Sequence, residues 1–282
     1  MKAIILNLSA WVMLPVMDGF AKYLSSTLPI LQITWSRYFF TVVFVLPIML
    51  VFFRKNLTWT EQPKLQLIRG LLLFCANILF FYSISIISLA KALTLAFIAP
   101  LIVTLLSPIL LGEKVGFRRW AAVIVGFIGS LIVIRPGFVE FNLASSAALG
   151  TGVMYGFYLI VTRKLHNSDN PLLTLLLTGT VGAIIGSIIM PAVWVQPTIN
   201  EWYMMFAIGF FASLGHFFLI LSLRYADASK LAPFGYFEIV PNIIIGYFFF
   251  NHFPNQWHFI GLFIIISSGI YIFRREVLNM SN

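Results

Sequence analysis

Apolar runs of about 20 residues alternate with short polar breaks along the whole chain, a length that matches one helical membrane crossing. The runs fall at 3–21, 30–53, 68–87, 92–111, 119–134, 146–163, 172–194, 202–222, 229–250 and 257–273. The pattern predicts an all-α integral membrane protein with ten transmembrane helices. A membrane barrel would instead alternate apolar and polar positions over segments of about ten residues. Helices suit the bilayer because each backbone N–H must find its partner without water.

Composition agrees. Of the 282 residues, 60% are hydrophobic and 10% charged, and the mean hydropathy is +0.97. The net charge of +9 would fit a nucleic-acid partner if it formed one patch, but the Lys and Arg residues are scattered between the apolar runs, so no nucleic acid is expected. Their placement gives orientation instead. The start, the even-numbered connections and the end carry 14 basic residues, whereas the odd-numbered connections carry Lys22, Lys91 and Arg135. This predicts a cell-membrane (inner or plasma membrane) protein with both termini cytoplasmic. Met1-Lys2 and the apolar stretch behind them resemble a signal peptide, but Asp18 and Lys22 close that run without a small-residue cleavage site. Cys75 is the single cysteine, so no intrachain disulfide is expected.

The chain also reads as doubled. The plan from Lys91 to Arg135, a helix, a turn at Gly112-Glu113-Lys114 and a Gly-containing helix, recurs from Lys230 to Arg275. Five helices per half is an odd number, so the second half enters the membrane from the opposite side. Two inverted repeats are predicted at 1–140 and 141–282, an architecture that places binding sites near the midplane between the halves.

Several motifs carry a family resemblance: Arg69-Gly70, Ala96 to Leu101, Leu111-Gly112-Glu113, Arg119-Trp120 with Gly126 and Gly129, and Ala232 to Glu238. In this order and spacing the chain resembles the EamA-type drug/metabolite transporter superfamily, in a branch that includes S-adenosylmethionine-type carriers. One departure is Asn251-His252, where a second Gly-Glu is often expected. The resemblance implies a secondary carrier of a small metabolite, with a central cavity lined by spans one to four and six to nine.

Charges inside spans cost at least a few kcal/mol each and usually face a cavity or a partner. Asp18, Arg37 and Glu238 are the clear cases. Glu238 lies roughly 13 Å into span nine at the helical rise, with Asn242 one turn later and Pro241 beside it. It can exchange protons or bind a cationic group; the alternative is a structural ion pair. Arg37 can hold an anion or neutralise Asp18, and Lys91 can close an outer gate with Asp18; interfacial anchoring is the alternative for both cations. Polar stripes on span one (Asn7, Trp11, Asp18) and span six (Thr151, Tyr155, Tyr158, Thr162) suit a shared pathway or interhelical hydrogen bonds. Asn77, Tyr82 and Tyr236 are further substrate contacts, and Pro100 and Pro241 are candidate hinges. His216 reads as a hydrogen-bonded helix contact, since no second His or Cys stands at metal-ligand spacing.

These residues predict a small-molecule substrate, the lipid bilayer as surroundings, and proton coupling or exchange as the energy source. No cofactor or metal is implied, and a monomer or homodimer is expected. Membrane-enzyme motifs (His-Glu-x-x-His, Gly-x-Ser-x-Gly) and a phosphate-binding loop are absent from the sequence, which disfavours an enzyme or an ATP-driven pump.

Overall fold

The computed structural model describes residues 1–134, 142–251 and 256–281. Twelve α-helices run through them: α1 Lys2–Leu24, α2 Ile30–Phe52, α3 Pro63–Ile86, α4 Leu89–Ala96, α5 Ile98–Leu110, α6 Phe117–Ile134, α7 Leu143–Lys164, α8 Pro171–Val193, α9 Ile199–Tyr225, α10 Ala228–Leu231, α11 Ile239–Phe250 and α12 Gln256–Ser281. Local chemistry sets several starts. Pro63 and Pro171 occupy first turns, where their missing N–H costs nothing. Thr198 and Glu201 form a reciprocal capping box on α9.

Among the described residues, eight stretches are long and apolar enough to cross a membrane. They correspond to expected spans one to four and six to nine; α6 and α12 lie where the fifth and tenth are expected. The exterior suits lipid: Ile188, Phe249 and Phe263 are 74%, 76% and 75% exposed.

Spans four and nine are not continuous helices, which corrects the sequence expectation. Span four divides at Phe97 into α4 and α5. Pro100 has no N–H to return to the Ala96 carbonyl, so the i→i−4 ladder is interrupted there. Span nine consists of α10, a tight 3₁₀ segment Ala232–Glu238 and α11. Pro233 opens the 3₁₀ segment and Pro241 lies in the first turn of α11. The two interruptions meet: a Cβ added to Gly235 would lie 3.4 Å from Pro100 Cγ.

The helix partners fall into matched pairs. α1 packs on α9 and α3 on α7; α2 packs on α9 and α3 on α8; α4 and α5 lean on α7, as the 3₁₀ segment and α11 lean on α1. α2 pairs with α8, and α6 with α12. The ends of the broken spans match too. Gly112 after α5 and Asn251 after α11 both adopt left-handed backbone, at φ 69° and 53°. Asn is the non-glycine residue that tolerates this conformation best. Asn251 thus keeps the turn of the missing Gly, while its neighbour His252 lies outside the described residues.

Candidate substrate-binding site

The interruptions of spans four and nine open onto a cavity of about 80 Å³ at the centre of the bundle. Trp11 and Asp18 reach it from α1, Asn77 and Phe80 from α3, Phe97 and Pro100 from span four, Thr151 and Tyr155 from α7, His216 from α9, and Glu238 from the 3₁₀ segment. Its volume holds only a few waters. Rings line the cavity, and Asp18 and Glu238 bring two carboxyl groups to it.

Two polar atoms around the cavity are buried without a hydrogen-bond partner, Asp18 Oδ1 and the Tyr155 hydroxyl. A buried polar group without a partner costs free energy, so such atoms mark a place where a ligand would satisfy them. Trp11 is held by its indole N–H donating to Asn7 Oδ1 at 2.7 Å, and its ring meets Tyr155 edge-on at 6.3 Å.

The other sequence candidates lie elsewhere. Tyr236 is buried against Phe97, with ring centroids 5.2 Å apart, and over Gly126, where a Cβ would come within 2.4 Å of the Tyr236 ring. Asn242 donates to the Glu238 carbonyl at 3.0 Å and so braces the 3₁₀ segment next to Pro241. Tyr82 and Lys91 are half-buried and do not line the cavity. Lys22 closes the end of α3, donating to the carbonyls of Ile84 at 2.7 Å and Ile87 at 3.1 Å.

Asp18 and Arg37 are neighbours without being partners. Asp18 and Arg37 form no ion pair with each other among the described residues, where Arg163 pairs with Glu113 and Asp227. Arg37 Nε instead donates to Met17 Sδ at 3.2 Å, and its Nη2 lies 2.6 Å from His216 Nε2. Its guanidinium also covers the Tyr38 ring at 4.7 Å. The Tyr38 hydroxyl accepts from Asn77 Nδ2 at 2.8 Å.

Sequence reasoning missed Arg69. At the start of span three it reads as one of the 14 basic residues that set orientation, yet it is fully buried. Its Nε donates to Thr162 Oγ1 at 2.8 Å, Nη1 to the Thr174 carbonyl at 3.0 Å and to Thr178 Oγ1, and Nη2 to the Tyr158 hydroxyl at 2.9 Å. Oxygen dipoles from α7 and α8 thus replace its hydration, which burial of a charge demands. Tyr158 in turn lies 3.0 Å from His216 Nδ1. A guanidinium only donates, so His216 Nε2 must accept from Arg37, and Nδ1 carries the N–H facing Tyr158. The result is a single file, Arg69–Tyr158–His216–Arg37, drawn from α3, α7, α9 and α2.

A second polar cluster closes the face that carries the Lys2 end of α1, where Lys2 donates to the Tyr225 hydroxyl at 3.1 Å. Glu113 accepts from the backbone N–H groups of Ala228 and Ser229, both at 2.9 Å, and from Arg163 Nε at 3.2 Å. Arg163 also donates to Asp227 at 2.9 Å and to the Leu223 carbonyl at 2.8 Å. Burial works against the Glu113 charge, but the bonds from Ser229, Ala228 and Arg163 outweigh it and hold the carboxyl below the usual glutamate range. This clasp ties the turn after span four to the start of span nine.

Residues 1–135 and 142–274 match the EamA-like transporter family. The S-adenosylmethionine uptake transporter of Rickettsia bellii (strain RML369-C) is 30% identical over 264 residues, which cover 94% of this chain and 90% of that protein. The riboflavin transporter of Vibrio cholerae is 26% identical over 276 residues, covering 95% and 92% respectively. A solved crystal structure shares the fold at a TM-score of 0.79 and 17% identity, over 94% of this chain and 96% of that one. With both halves of its length matched and its helices apolar enough for a bilayer, the chain is a multi-pass membrane protein and belongs to the EamA-like transporter family.

Proposed function

We propose that this protein is a secondary carrier that moves a small, positively charged metabolite with a planar ring across the cell membrane by alternating access. S-adenosylmethionine, which the relative from Rickettsia bellii is named for taking up, is the first candidate. One observation carries the reading: Asp18 Oδ1 stands buried and unpartnered at a cavity that Glu238 and several aromatic rings also line. Carboxylates attract a cationic centre, and rings accept both a flat base and a cation on their faces. A neutral flavin would leave both carboxylates without a counter-charge.

The chain crosses ten times as two inverted five-helix repeats, 1–140 and 141–282, with both termini cytoplasmic. The reading is supported by the matched helix pairs and by the left-handed residues Gly112 and Asn251 at corresponding ends. It is further supported by the basic residues: taking Arg69 out of the tally leaves 13 against 3, which keeps its sign. Arg37 is a gate residue through its position beside Met17, and Lys91 belongs to the outer rim. Glu238 is the group that alternates between substrate and proton, which couples transport to protons.

A cavity of about 80 Å³ is far below the roughly 300 Å³ at which small-molecule pockets begin. Substrate therefore binds as the two broken spans, hinged at Pro100 and Pro241, part from one another. Purified protein in liposomes, loaded with a metabolite panel under imposed pH gradients, tests the function. Saturable S-adenosylmethionine uptake that responds to the gradient is expected; uptake of riboflavin alone would overturn the cationic assignment.

A further inference from the structure

The file Arg69–Tyr158–His216–Arg37 holds two buried cations, and neither makes an ion pair among the described residues. Arg37 is the unusual member. Its Nε touches Met17, the residue next to Asp18, yet its Nη2 is engaged by His216 rather than by the carboxylate. Opposite charges in a medium of low dielectric attract strongly. An Asp18 carboxylate would draw Arg37 toward it, and the bonds to Met17 and His216 are what engage the guanidinium elsewhere.

The direction of each bond fixes the logic. Arg69 Nη2 donates to the Tyr158 hydroxyl at 2.9 Å, which anchors that oxygen. The anchored oxygen accepts the His216 Nδ1–H at 3.0 Å. That contact fixes the ring tautomer and leaves the Nε2 lone pair facing Arg37, whose Nη2 sits 2.6 Å away. Tyr155 stacks on Tyr158 with centroids 5.3 Å apart and lines the cavity, so the file and the cavity share a wall.

The geometry points to Arg69 and Tyr158 as positioning residues: through His216 they keep Arg37 engaged and so reserve the Asp18 carboxylate for the positive group of the substrate. This rests on the reading of Asp18 as a substrate ligand. Loss of the Tyr158 hydroxyl frees the His216 ring, releases Arg37, and lets its guanidinium occupy Asp18 in competition with substrate.

The test is S-adenosylmethionine uptake by the full-length protein in liposomes, comparing Tyr158→Phe, Asp18→Asn and the double variant. Tyr158→Phe is expected to raise KM about tenfold, the scale of one charge-assisted bond, with the maximal rate near that of the wild type. Asp18→Asn also raises KM, and the double variant is no worse than the more impaired single one, because the file matters only while the carboxylate is there to protect. A wild-type KM in Tyr158→Phe, beside an impaired Asp18→Asn, overturns the positioning role alone, as do losses that multiply. A wild-type KM in Asp18→Asn overturns the substrate reading beneath it. Should Tyr158→Phe fail to fold, His216→Gln and His216→Leu decide: the amide oxygen of Gln restores an acceptor for Arg37 and keeps KM, Leu does not, and equal impairment of both overturns the proposal.

Discussion

Gly152 of α7 packs against the carbonyl of Ala96 so closely that a Cβ on it would lie 2.4 Å from the carbonyl oxygen. That carbonyl is the one whose helical partner Pro100 removes, so the absence of a side chain at 152 lets α7 seat the interruption of span four. Gly152→Ala forces backbone apart from backbone. Overpacking of this kind costs about 1–3 kcal/mol. The thermal unfolding midpoint of the purified protein should fall, and uptake should drop with it. Gly116, with open space around it, serves as the control and should tolerate Ala.

Glu238→Gln keeps the shape of the side chain and removes its charge. Uptake is expected to vanish, or to lose its response to a pH gradient, while the protein still inserts and purifies normally. Wild-type transport by this variant at every pH would remove Glu238 from the mechanism.

The clasp on Glu113 has its own pH dependence. Its carboxyl is held below the usual glutamate range in the folded protein. The stabilisation is therefore complete above the ordinary glutamate pKa and disappears as pH falls through the lowered value. At neutral pH, Glu113→Gln should unfold at a lower temperature than the wild type. The gap should close under acid, as the native carboxyl also becomes neutral. A gap that is constant with pH would show that the charge contributes nothing.

Lys22 serves a different purpose. Its ammonium satisfies two carbonyls at the end of α3, so Lys22→Met should lower stability by about 1–3 kcal/mol, the scale of hydrogen bonds to a charged group. Substrate KM should not move, which separates this residue from Asp18 one turn away.

Much of the bundle and part of the site were legible in the sequence for a simple reason. In an apolar helix a polar residue stands out, and Trp11, Asp18, Asn77, Tyr155 and Glu238 converge on one cavity. Arg69 was not legible because it lies in the first turns of α3, where a basic residue has the look of an ordinary orientation signal. The available sign was indirect: Thr174 and Thr178, one turn apart on α8, together with Thr162 on α7, form a cradle of oxygens around its guanidinium. The cavity also stops short of Tyr82 on α3, and of Tyr236 and Asn242, whose span nine is turned out of helical register by the 3₁₀ segment. Pro100 and Pro241 advertised bends, but the sequence did not reveal that both spans would be interrupted and touch.

Gly112 and Asn251 end the two broken spans with the same backbone turn and different side chains. If the halves are inverted copies, the inward-open and outward-open forms interchange the roles of those two turns, and a molecule with identical halves would populate both forms equally. Here one turn is fastened by Glu113 to Arg163 and to the start of α10, whereas the other begins with an Asn that bears the strain of left-handed backbone. On the proposed inverted-repeat reading, the unlike ends tilt the conformational equilibrium before any substrate arrives. On that reading, the resting state of the carrier is set by the residues at which the two proposed repeats differ.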